Sequence, residues 1–128
     1  MARTTRRFDP TNELGNRPPS TIIKHYPSEG LSFLSDINSP ISGITDFNSI
    51  VVAIDGACPG NGTDSAKGAY GIYFGRNSPY NKFGLLSPAF RQTNNAAELE
   101  AARKAVHTVL RNILPDSTAK ELILMTDS

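Results

Sequence analysis

The run Val51-Val52-Ala53-Ile54 passes directly into Asp55 and then into Gly-Ala-Cys-Pro-Gly-Asn-Gly, and this stretch sets the tightest constraint on the fold. A short apolar, β-branched run closed by turn formers reads as a buried strand, so Asp55 falls where that strand leaves the core. A carboxylate at such an exit calls for a reason. Other acids of the chain are the first candidates to supply it.

At 128 residues the chain suits one domain with a real core. Thirteen Lys and Arg against twelve Asp and Glu give no global basic field, so contact with a polyanion has to come from a local cluster. The single Cys58, with only His25 and His107 beside it, excludes an internal disulfide framework and a Cys/His zinc site. A reducing, intracellular setting is expected. No apolar run approaches the roughly 18 residues of a membrane span, so no membrane partner is expected. Arg3, Arg6 and Arg7 resemble the start of a nuclear or mitochondrial address, but Asp9, Pro10 and Glu13 interrupt it.

Residues 1–48 hold Pro10, Pro18, Pro19, Pro27 and Pro40, scattered Ser and Asn, and isolated apolar pairs such as Ile22-Ile23 and Phe33-Leu34. Without sustained periodicity they read as an extended or disordered leader. From residue 49 the texture changes. Ile50 to Ile54 reads as a first strand, Ala69 to Gly75 as a second with alternating Tyr70, Ile72 and Phe74, and Asn81 to Leu86 as a third in an antiparallel meander. Thr93 reads as an N-cap for a helix from Asn94 to Leu114, stopped by Pro115. Glu121 to Met125 reads as a last strand, and a right-handed crossover lays it parallel to the first. Asp55 and Asp127 then emerge at one edge.

At about 100° per residue, Ala102, Ala105, Val106, Val109, Leu110 and Ile113 form the apolar stripe of that helix. Glu98 falls with them and points at the sheet, while Glu100 points to water. Each acid has a plain structural reading as well: Asp55-Gly56 as a turn pair, Glu98 as a first-turn acid, Asp127 as a cap. Brought together they repel, at about 4 Å and an effective dielectric near 20 by on the order of 4 kcal/mol per pair, so a cation should sit between them. Hard oxygen ligands without His or Cys select Mg²⁺ or Mn²⁺, ions typical of phosphate-ester chemistry. Cys58, Asn61, Arg91, Thr93, Asn94 and Asn95 flank the place with amides and one cation, which suits a sugar-phosphate backbone.

DGACPGNG at 55–62, RQTNNAAELEA at 91–101 and LMTDS at 124–128, in that order and with the GAYGIYFG strand between, resemble type 1 ribonuclease H. The resemblance covers Ser49 to Ser128. It implies an α/β fold with a mixed sheet: three antiparallel strands, a crossover helix and a fourth strand parallel to the first. It also implies hydrolysis of the RNA strand of an RNA/DNA hybrid, giving 5′-phosphate products. Asp55, Glu98 and Asp127 match the acids that hold a pair of Mg²⁺ ions, with no small-molecule cofactor. Asn61, Asn94 and Asn95, with Cys58 and Gly56, match the nucleic-acid surface at the minor groove. Arg91 and Thr93 match part of a pocket for a phosphate of the DNA strand. In the family a fourth metal-binding Asp, a His loop, a fifth strand and further helices follow the TDS block. The chain is therefore expected to hold a domain truncated before the fifth strand, impaired in cleavage. The alternatives are a non-catalytic hybrid binder and a fragment without function. Nothing in the sequence names a protein partner.

Overall fold

The computed structural model describes residues 22–35 and 44–126. These form β1 (Ile23–Tyr26), β2 (Leu31–Ser35), β3 (Thr45–Ala57), β4 (Ala69–Tyr73), β5 (Lys82–Leu85), α1 (Asn94–Thr108) and β6 (Glu121–Met125). The molecule is mixed α/β. Long β3 is its centre, because Ser49-Ile50-Val51-Val52 is buried without a break. Such a run belongs inside a sheet rather than at its edge.

The register shows how the strands surround it. Ile50 pairs with both Phe33 of β2 and Leu122 of β6, and Ala53 pairs with both Tyr73 of β4 and Met125 of β6. A strand has two edges, and parallel β6 holds one of them along Ser49–Ala53. Antiparallel β2 and β4 therefore share the other edge, end to end. β5 continues from β4 with Gly71 opposite Phe83 and Ala69 opposite Leu85.

The β1–β2 hairpin corrects the expected leader. Residues 23–35 are not extended chain but part of the same sheet, closed by a turn in which Gly30 takes a φ of 68°. All five residues of β2 are buried, so Leu-Ser-Phe-Leu-Ser shows none of the alternation that marks a half-exposed strand. Its hydroxyls are satisfied internally, Ser32 Oγ donating to the Phe74 carbonyl at 2.7 Å. Phe33 packs edge to face on Tyr26 and Phe47, which tilt against each other, at centroid distances of 5.1 to 5.7 Å. Residues 1–21 and 36–43 of the expected leader lie outside the described residues.

The helix starts where the sequence places it, with Thr93 Oγ1 accepting from the Ala96 amide at 3.1 Å. Its end is less regular. A π turn at Val109–Ile113 is followed by a 3-10 turn at Leu114–Asp116, where Pro115 lacks the N–H that an α-helical turn requires. The buried face also differs from the expected stripe. Ala97, Ala101 and Ala105 are fully buried, with Val109 and Ile113 continuing the row, whereas Val106 and Leu110 are exposed. Three alanines let the helix axis come closest to the sheet on their own side, and this turns the larger side chains outward.

Glu100 lies at the rim of that alanine row and is buried, which corrects the expectation that it faces water. Arg103 makes this tolerable by holding both carboxylate oxygens, Nε to Oε2 at 3.0 Å and Nη2 to Oε1 at 2.6 Å. The helix covers the sheet face carrying Ile50, Val52, Ile54 and Ile72. The opposite face holds Asp55 together with Tyr73, Phe83, Leu85 and Met125, all four of which are exposed. Among the described residues no helix is long and apolar enough to cross a membrane.

Candidate functional site

Asp55 sits near the end of β3, exposed, with Gly71 opposite it and the buried Ile54 pointing the other way. It lines a groove of about 470 Å³ together with Ala53, Tyr73, Asn81, Lys82 and Met125. Among the described residues Asp55 has no ion pair.

Gly56 decides how close the helix comes. A β-carbon there would stand 2.3 Å from the Glu98 nitrogen and 2.5 Å from the Ala97 carbonyl carbon, both backbone atoms that cannot swing aside. The missing side chain lets the first turn of α1 seat directly on β3. Gly56, expected with the nucleic-acid surface, has a packing role through its backbone contact with α1. Glu98 is thereby carried to the strand ends, where the Thr126 hydroxyl donates to its Oε1. Thr126 directly follows Met125, the partner of Ala53 in the parallel ladder. Glu98 thus reaches from the helix to the ends of the two central strands. Asp127, the third acid expected here, lies outside the described residues, and among the described residues no three His, Cys, Asp or Glu are grouped to hold a metal.

A polar loop flanks the acids. It turns at Gly60 and Gly62, with φ of 74° and 86°, values that favour glycine. Asn94 fastens it: its Oδ1 accepts from the Cys58 amide at 2.8 Å, while its own backbone N–H donates to Asn61 Oδ1 at 3.1 Å. Backbone N–H groups can only donate, so these contacts fix which end of each carboxamide faces inward. Both carbonyl oxygens are used within the protein, and among the described residues neither NH₂ has a partner. The Cys58 thiol, read from sequence as part of the minor-groove surface, is only 6 % exposed. Its contribution is the backbone amide that anchors Asn94. Asn95 is exposed in the first helical turn.

Arg91 and Thr93 line a second, polar groove of about 460 Å³ with Asn61, Thr63, Asp64 and Gln92. Gln92 joins this groove from within the RQTNN block, and Asn81 and Lys82 line the groove beside Asp55 without any local motif to mark them. Further along α1, the hydrogen bond from Arg103 holds the Glu100 carboxyl below the usual range, against the opposing effect of burial.

The family model for RNase H matches residues 48–128. The chain belongs to the RNase H family. It is similar to Ribonuclease H1 of Rattus norvegicus, 41% identical over 81 residues that make up 62% of this chain and 26% of the rat protein. It is similar also to Ribonuclease H of Saccharomyces cerevisiae, 36% identical over 91 residues, 69% of this chain and 25% of the yeast protein. The chain thus spans about a quarter of the length of these relatives. The RNase H match takes in β3 to β6 and α1, so the β1–β2 hairpin lies outside it while sharing its sheet.

Proposed function

We propose that this chain carries the cutting site of a ribonuclease H acting on RNA/DNA hybrids, with hydrolysis of the RNA strand to 5′-phosphate and 3′-hydroxyl ends. The observation that carries the reading is the placement of Glu98 against the end of β6 by way of Gly56, at the same end of the central strands as the exit of β3 at Asp55.

The donor set fits Mg²⁺, and also Mn²⁺. Asp55 and Glu98, with Asp127, would hold it. All offer hard carboxylate oxygens, while Cys58 is buried and, among the described residues, no histidine is grouped with the acids to hold a metal. When bound, such an ion lowers the pKa of water and stabilises negative charge on a phosphate. Asp55 and Glu98 would supply negative charge to hold such an ion, one from a strand and one from a helix.

The surrounding residues supply substrate recognition. With their carbonyl oxygens tied into the protein, Asn61 and Asn94 offer NH₂ donors. The minor groove of a hybrid presents matching acceptors in base edges and 2′-hydroxyls, and the latter distinguish the RNA strand. Arg91 and Thr93 suit a phosphate of the other strand, which fixes register without reading sequence. The reading is tested by incubating the full-length protein that carries this chain with a hybrid, double-stranded RNA, double-stranded DNA and single-stranded RNA in Mg²⁺. Cleavage of the hybrid's RNA strand alone is expected. Equal cleavage of double-stranded RNA would refute it.

A further inference from the structure

The connector from β5 to α1 carries the two residues assigned to the phosphate grip, yet little apolar surface fixes it. Ser87 to Arg91 are all exposed, and Phe90 keeps 49% of its surface in solvent. A single half-buried side chain does the fastening. Gln92 Oε1 accepts from the Gly68 amide at 2.7 Å, and Gln92 Nε2 donates to the carbonyls of Ser87 and Phe90, each at 2.9 Å. One backbone donor and two backbone acceptors leave only one way to orient the carboxamide.

The place of these bonds is informative. The β4–β5 ladder ends at Ala69 opposite Leu85, and the Leu86 amide adds one more bond to the Gly68 carbonyl at 2.8 Å. The carboxamide of Gln92 then takes the place of the next strand residue by accepting from the Gly68 N–H. It joins the start of β4 to the connector and curls that connector back on itself through Ser87 and Phe90.

We infer that Gln92 is the positioning residue for the phosphate grip of Arg91 and Thr93, its two neighbours in the chain; this rests on the function proposed above. Asp64 lines the same groove as Arg91 and Thr93. An unanchored Arg91 would be drawn to that carboxylate and lost to the phosphate. The clasp holds the backbone on either side of Arg91 and so keeps the guanidinium available to an incoming strand.

Gln92→Met keeps the length of the side chain and removes all three bonds; Gln92→Glu keeps the acceptor for Gly68 and removes the donors. In the full-length protein, Gln92→Met is expected to speed hydrogen exchange at the Gly68 amide. It should also raise KM for a fluorescein-labelled hybrid about five- to tenfold with kcat within about twofold, a scale set by the loss of one charge-assisted contact. Gln92→Glu should fall between. In an Arg91→Ala background Gln92→Met should add less than about a twofold change, since the contact it supports is already gone. An unchanged KM in a native protein that does cleave hybrids would overturn this inference alone. So would an equal loss with and without Arg91, the mark of a merely structural role. A native protein that neither binds nor cleaves the hybrid would overturn the function together with the inference, whatever the exchange at Gly68 shows.

Discussion

A β-carbon on Gly56 would stand 2.3 Å from the backbone nitrogen of Glu98, so the strand that carries one acid and the helix that carries the next come into backbone contact at a residue without a side chain. Sequence and chemistry join at this contact. The glycine lets α1 sit on β3, and seating α1 brings Glu98 to the ends of the central strands.

Gly56→Ala is therefore expected to act on the site out of proportion to its size. Forcing a methyl group against backbone costs about 1–3 kcal/mol when a packed core is overfilled. The relief available is a shift of α1 away from β3, which moves Glu98. Urea unfolding should show a lower midpoint with the slope unchanged, and hybrid cleavage should fall further than the lost stability explains. Full activity in the alanine variant would show that the close approach has no part in placing Glu98.

The hairpin offers a test of where the folded unit begins. Phe33 is 3 % exposed and packs against Tyr26 and Phe47 as well as the main core. Phe33→Ala is expected to cost about 3–5 kcal/mol, the usual penalty for emptying a buried aromatic site. A leader merely resting on the domain would lose far less, and a single cooperative transition with a clearly lower melting point separates the two.

Glu100 gives the chain a calculable pH response. Its folded pKa is lowered, chiefly by the hydrogen bond from Arg103, with burial acting the other way. A carboxyl lowered on folding contributes stability that is complete above its unfolded value, about 4.3, and is lost as pH falls through the folded value. Glu100→Gln should melt below the native protein near about pH 7, and the gap should narrow on acidification below about pH 4. A gap that stays constant from neutral to acid pH would mean that the charge on Glu100 contributes nothing.

Much of this architecture is legible in the residues, and the parts that are not have physical causes. Glu121–Met125 and the Thr93 cap follow from local pattern alone. β3 runs five residues further back than its apolar run, because Thr45 to Ser49 is mostly polar and gains strand geometry by pairing with β2 and, at Ser49, with β6. The buried faces of β2 erase the alternation that would have announced it. Glu100 reads as a solvent residue until Arg103, three positions on, folds over it. The acids of the candidate site are legible because a carboxylate at the exit of an apolar strand, as at Asp55, and one on the apolar side of a helix, as at Glu98, stand out from the pattern around them. Gln92 is not, because its three partners are backbone groups and backbone carries no sequence signature.

The central claim is that Asp55 and Glu98 hold a divalent ion for cutting the RNA strand of a hybrid. The most direct measurement follows cleavage of a labelled RNA/DNA hybrid by the full-length protein carrying this chain, native beside Asp55→Asn, with Mg²⁺ and with EDTA. Cleavage is expected only from the native protein and only with Mg²⁺. The Asn variant should remain folded and should melt no lower than the native protein, since it loses one of several mutually repelling charges. Cleavage by Asp55→Asn at the native rate, or cleavage by the native protein in EDTA, would contradict the account.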